Sequence, residues 1–470
     1  MTLLGLEISD AGILVAADNP LRLLTVDGQE KESPGYAIPE KKRLLVGKPA
    51  SDKAHLFPFQ VINKFWDQLN TEPLKQKNRH AQNHAEIAYA HLFHVWEIVK
   101  PYGDEMMITV PDYYSKEHLG LILGMAKELS IPVKGFVSLP IAATYQPYPN
   151  SMLLHLDIHL HRFEIIHLHQ GEYLTAKNSL TFQEISLEQL YRSWVETIAE
   201  EFVHATRFDP LHQAATEQEL YNRLAAALDI FRNQPSFLFE LSHGKDRYRI
   251  NLFRDVLSQK SEKIYDDICR FIEKMREDPG NNLLTVLQMT HRVACLPGLK
   301  DKLLEINNCK IIELEPGAGA LGVLKLRNQL VDSHFKNGAS FFTSRPWQQA
   351  ESTISRAISY QTPDTIRPSH LLYRDVAYPI SEKPLIIGCD PYPFGEGIHI
   401  QAKSSHVSKK HCTIQRENDR IILTDHSRQG TFVDNRQVHE SVLLELGQTI
   451  RLGSSRETIR LIACLESDET

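Results

Sequence analysis

The chain has 470 residues, 42% of them hydrophobic and 24% charged, with a formal net charge of −7. That length bounds two to four domains, and the apolar share is enough to build real cores. A net negative chain offers no basic field for nucleic acid and no polybasic membrane patch.

The N-terminal run MTLLGLEISDAGILVAADNP carries Glu7 and Asp10 and has no Lys or Arg before Arg22. It makes a poor signal peptide and a poor membrane span. The six cysteines (Cys269, Cys295, Cys309, Cys389, Cys412 and Cys464) show no C-x-x-C spacing and read as reduced thiols of a cytoplasmic protein.

Residues 1–176 alternate β-rich runs (LLGLEI, GILVAA, RLLVG, MMITV, VKGFVSL, LLHLDIHL) with helical patterns at 81–100 and 115–129. Strands interleaved with helices predict an α/β domain. Residues 186–278 read as mostly helical and charged, with one hairpin in FLFELSHGKDRYRINL turning at Gly244. A last α/β unit ends near residue 326. The segment 327–381 is rich in Ser, Thr, Gln and Pro, lacks a sustained period and reads as a linker. Phe341, Phe342 and Trp347 within it mark a piece that docks on a neighbouring domain. From Pro384 to about Cys464 short period-two runs return with turn residues every eight to twelve positions, the pattern of a small all-β sandwich.

The most informative stretch is Leu154 to Glu164, LHLDIHLHRFE. An aspartate ending an apolar strand, then a tight turn and a return strand, is a phosphate-binding hairpin when its turn holds glycines. Only a residue without a Cβ lets backbone N–H groups close on a phosphate. Here the turn reads His159-Leu160-His161-Arg162. No G-x-S-x-G, P-loop, Rossmann fingerprint or H-E-x-x-H appears elsewhere.

Several segments of 1–326 occur in the order found in the nucleotide-binding domain of the seventy-kilodalton heat-shock chaperones. Leu4 to Ser9 stands where the first phosphate loop begins. Ile108-Thr109-Val110-Pro111 leads through a helix to Leu139-Pro140-Ile141-Ala142-Ala143. Asp157 opens the second phosphate hairpin, Met289 to Leu299 stands at the adenosine motif, and Gly317, Gly319 and Gly322 mark the closing helix. The region therefore resembles that domain, which implies an α/β actin-like two-lobed ATPase fold built on ribonuclease-H-like repeats.

The resemblance fails where phosphate would bind. Ser9-Asp10-Ala11 replaces Gly-Thr-Thr, and Asp10 is expected to face the phosphates. His159, Leu160 and His161 replace three glycines, His291-Arg292 replaces a glycine pair, and Leu139 replaces a glutamate. Asp157, Glu7 and Lys64 remain as polar counterparts. Catalysis in this class needs phosphate positioning and metal together, so these losses predict a pseudo-ATPase.

Landmarks in 382–465 appear in the order of a forkhead-associated domain: Ile387-Gly388, Val407-Ser408-Lys409-Lys410-His411, Asp425 to Val433, Leu446-Gly447 and Ile450 to Gly453. The resemblance implies phosphothreonine peptide binding at one end of a sandwich. It makes Ser408 and Lys409 or Arg428 the phosphate contacts, with Gln429 beside them and His411 fixing the loop. Cys389 stands where the family has Arg, and Gln429 where it has Asn. The other reading is a docking module for an unphosphorylated surface.

His155, Asp157, His159 and His161 share one strand face by period two, with His167 and His169 on the return strand. Such a row is able to hold zinc, with Asp157, His159 and His161 the candidates, but a His-rich strand without metal is the favoured reading. The reading as a whole is a cytoplasmic, bacterial, non-catalytic adaptor with no cofactor. Its partners are proteins, including threonine-phosphorylated ones, with no nucleic acid and no direct membrane insertion. The alternative is a divergent ATPase whose ATP and magnesium state gates the sandwich's partner. A third reading has Thr343, Thr353, Thr362 and Thr365 phosphorylated and captured in the same chain.

Overall fold

The computed structural model describes residues 2–75, 79–276, 283–330, 340–347, 368–374, 376–391, 397–400, 407–417, 420–434, 436–444, 448–453 and 458–462. The chain divides into two compact units, Met1–Thr353 and Ile354–Thr470.

The first unit is mixed α/β with two mixed sheets that share one topology. In the first sheet Leu3–Ile8 and Gly12–Asp18 pair antiparallel and Leu21–Leu23 follows. Glu105–Val110 and then Val133–Ser138 add in parallel on the other side of Leu3–Ile8. The second sheet repeats the plan. Ser151–Ile158, Phe163–Gln170 and Tyr173–Phe182 form an antiparallel meander, and Leu284–Met289 then Cys309–Glu313 add in parallel. Leu3–Ile8 is central and covered on both faces, so it reads as an unbroken buried run rather than an alternating one.

Helices pack outside the sheets. His84–Val99 starts where the Asn83 side chain accepts the Glu86 N–H, and Leu187–Thr206 where Ser186 accepts the Gln189 N–H. The latter ends as Arg207 turns left-handed at φ 63°. Between the sheets lies the short helix Ala318–Lys325, nearly all of it buried. Two glycines let it fit. A Cβ on Gly5 would lie 2.0 Å from the Ala320 carbonyl oxygen, and one on Gly322 would lie 1.9 Å from that of Ala142.

The stretch expected as a linker carries ordered strands at both ends. Ser340–Phe342 extends the first sheet beside Val133–Ser138, and Ser344–Pro346 pairs with Tyr173–Phe182 in the second. Trp347 is buried against the core between the sheets. Further on, His370–Tyr373 pairs with Val376–Pro379 and with Thr458–Ile462, so the sandwich recruits strands from before residue 382. Thr353, Thr362 and Thr365 lie outside the described residues, as do Leu446 and Gly447.

The second unit is a β-rich sandwich. Among the described residues one sheet runs Val376–Pro379, His370–Tyr373, Thr458–Ile462, Thr449–Leu452, Thr431–Val433, Arg436–Gln437. The other runs Gly397–His399, Leu385–Gly388, Cys412–Glu417, Arg420–Asp425, Ser441–Leu444. Their inner faces meet through Leu371, Ile387, Ile414, Leu423, Ile450 and Ile459. Among the described residues of both units, no helix is long and apolar enough to cross a membrane.

Candidate functional site

In the first unit the turns of the two antiparallel hairpins meet. Asp10, in the turn after Leu3–Ile8, is fully buried. Its Oδ1 accepts the Leu160 N–H at 2.8 Å and its Oδ2 accepts the His161 N–H at 2.9 Å. Asp10, expected from the sequence to face bound phosphates, is instead satisfied by two backbone amides of the second hairpin's turn. Glu7 does the same at a second place. Its Oε2 accepts the Gly319 N–H at 2.9 Å and the Ala320 N–H at 3.3 Å, at the start of Ala318–Lys325. Carboxylates are favoured there because free N–H groups and the helix dipole both point at them.

A cation balances these acids. The His159 ring is fully buried, with Nε2 3.5 Å from Asp157 Oδ2 and 3.4 Å from Glu164 Oε2, and Nδ1 3.8 Å from Asp10 Oδ1. Burial by itself would lower its pKa, but Asp157, Glu164 and Asp10 outweigh that and lift it to about 9. Burial likewise pushes Asp157 up, yet His159, Arg292 and His155 hold its carboxyl below the usual range. Thr290 Oγ1 donates to Asp157 Oδ1 at 2.8 Å. Burial raises both Glu7 and Asp10, opposed chiefly by Arg292 and His159 respectively.

The remaining positions divide. Arg292 Nη2 lies 2.5 Å from Glu32 Oε1, with the His291 ring 3.9 Å from the same carboxylate. The His161 ring turns away to the Asn63 carbonyl at 3.1 Å and to Glu188 at 3.4 Å. His155 bonds Gln288 at 3.1 Å. The histidine row therefore fans out, and among the described residues no group of three or more His, Cys, Asp or Glu is set to hold a metal ion. Lys64 is exposed. Leu139 is buried in an apolar cluster with Ala143, Leu314 and Ala318. Gly317 starts the closing helix at φ 67°.

Sequence reasoning missed four members: Glu32, Asp67, Arg162 and Glu164. Arg162 Nε donates to Asp67 at 2.9 Å while its guanidinium lies 3.8 Å over the Tyr113 ring. Glu164 was within reach, since a four-residue turn at 159–162 pairs it with Asp157. Glu32 comes from the short strand Glu32–Pro34 and Asp67 from a turn, and neither carries a local signal.

In the second unit the loop after Gly388 is zipped to the 407–410 loop. The Cys389 N–H donates to the Ser408 carbonyl at 3.1 Å and the Asp390 N–H to that of Lys409 at 3.3 Å. His411 is buried, and its ring ties two loops together. The Ser408 N–H donates to Nδ1 at 3.1 Å, so the ring proton sits on Nε2 and faces the Gly430 carbonyl at 3.2 Å. Burial lowers its pKa, keeping the ring neutral. Asp425 Oδ1 accepts the Ser427 N–H at 3.1 Å and the Thr431 hydroxyl at 2.7 Å, fixing the 425–431 loop.

Ser408 Oγ accepts the Arg428 N–H at 3.4 Å, which leaves its own O–H free to donate. Lys409, Arg428 and Gln429 are exposed around it, with Lys409 Nζ 3.5 Å from Asp390. Residues 385–453 match the family model of the FHA domain.

The C-terminal sandwich is an FHA domain.

An FHA domain implies phosphothreonine-dependent protein binding. The FHA match does not extend into the α/β unit, and no curated protein matches the chain.

Proposed function

We propose that the chain is a non-catalytic adaptor. Its FHA domain binds threonine-phosphorylated proteins through Ser408, Lys409 and Arg428. Its α/β unit is a pseudo-ATPase that serves as a fixed platform. The twice-repeated sheet topology supports the actin-like reading of that unit.

One observation carries the pseudo-ATPase reading. The amides of Leu160 and His161 already hold Asp10, and those of Gly319 and Ala320 already hold Glu7. A nucleotide triphosphate would meet two carboxylates where it needs donors. A divalent cation would meet the charged ring of His159 beside Asp157. The residues present therefore do not fit magnesium-nucleotide. Asp10 stands in for phosphate and His159 for the metal.

The test is a thermal-shift series with ATP and magnesium, since a ligand of the folded state raises stability by mass action. An unmoved transition is expected. A shift that disappears in Asp157→Ala would instead support a divergent ATPase. For the FHA domain, a phosphothreonine peptide library is expected to yield Ser408-dependent binders. Binders indifferent to phosphate would make it a plain docking module.

A further inference from the structure

The net charge of −7 conceals a local cluster of opposite sign. The hairpin of Ala37–Pro39 and Leu44–Val46 turns through Lys41, Lys42 and Arg43, all exposed. The chain then makes an excursion that starts and ends on the same hairpin. Ala50 packs on Ile38 and Leu45, and Ile62 exchanges both backbone hydrogen bonds with Ala37 at 2.8 Å. Lys53 in this excursion reaches Glu40, next to the cationic turn, at 2.7 Å.

One turn beyond Lys53 the excursion presents Leu56, Phe57 and Phe59, which are 38%, 43% and 88% exposed. A phenylalanine held this far into water gives up the stabilisation that burial would bring, so it is available to an apolar medium. The neighbouring acids are already paired: Glu40 with Lys53, Asp52 with Lys48, and Glu217 with His55. Lys41, Lys42 and Arg43 are left in excess.

We propose that this face is a peripheral docking site for an anionic membrane surface. Phe57 and Phe59 enter the headgroup layer while Lys41, Lys42 and Arg43 meet lipid phosphates. A protruding aromatic pair beside uncompensated cations is the chemistry of interfacial anchoring, and nothing crosses the bilayer. The site is built from residues of the first unit alone and shares none with the FHA loops.

The experiment is cosedimentation of the full chain with vesicles of phosphatidylcholine alone or mixed with phosphatidylglycerol. Binding is expected only to the mixed vesicles and is expected to fall with added salt. Replacing Lys41, Lys42 and Arg43 by alanine should weaken it on the order of a hundred-fold, about five-fold per charge. Phe59→Ser should weaken it roughly ten-fold or more. These side chains are exposed, so folding is not at stake, and Ser408→Ala should bind vesicles as the native chain does. No binding to mixed vesicles, equal binding to both kinds, or variants that bind like the native chain would overturn the proposal. So would an acidic protein partner that engages this face while mixed vesicles do not.

Discussion

The carboxylate of Asp10 accepts the backbone N–H of His161 at 2.9 Å, joining turns that lie 151 positions apart in the chain. With the companion bond to Leu160, this clasp ties the first sheet to the second using only protein atoms.

Asp10→Ala should therefore be among the most damaging single changes in the first unit. It leaves two buried amides without acceptors and the charged His159 short of one partner. A loss of about 2–5 kcal/mol is expected from the unsatisfied donors and the broken charge cluster, read by chemical denaturation. A variant within about 0.5 kcal/mol of the native chain would mean the clasp is incidental.

One buried histidine in each unit should answer pH with opposite signs. His159 is lifted from 6.5 to about 9 in the folded state. Its contribution is full below the unfolded value and is lost as pH rises through about 9. His411 is shifted the other way, so its contribution is present above 6.5 and is lost as pH falls toward the folded value. Calorimetric scans should show the His159 contribution to the α/β transition fading on the alkaline side and the His411 contribution to the FHA transition fading on the acid side. His159→Gln should flatten the alkaline slope; an unchanged slope would assign it to other groups.

Substitutions in the FHA loops should separate phosphate recognition from folding. Ser408→Ala is expected to abolish phosphothreonine peptide binding without altering the circular dichroism spectrum. Arg428→Ala should cost about 1.5–3 kcal/mol, on the order of ten- to a hundred-fold in affinity. Cys389→Arg, which restores a cation beside Ser408, should strengthen binding, and isothermal titration decides each case.

Gly322→Ala should destabilise the first unit by about 3 kcal/mol, because the new Cβ would lie 1.9 Å from a backbone oxygen that has little room to move. A melting temperature equal to that of the native chain would show that the closing helix is free to shift.

Much of this was legible in the sequence, for reasons that differ along the chain. The FHA domain shows in local order, since Ser408, His411 and Gly430 act within two loops whose motifs can be read directly. The loss of glycine at 159–161 was equally plain. What replaced it was not, because the partner of that turn is Asp10, and only the meeting of two sheets joins them. Read in sequence, Asp10 looks like repulsion toward a phosphate; in the fold it is satisfied by amides. Lys64, read in the sequence as a polar counterpart beside Asp157 and Glu7, is exposed in the fold. Residues 340–347 looked irregular because three-residue edge strands are too short to display a period.

The most direct measurement is calorimetric titration of the full chain with magnesium-ATP, native and Asp10→Gly in parallel. The native chain is expected to give no saturable heat, with any association weaker than millimolar, while removal of the Asp10 side chain frees two phosphate-facing amides. Saturable, stoichiometric binding of magnesium-ATP to the native chain at micromolar concentrations would contradict the view that its own carboxylates fill the cleft.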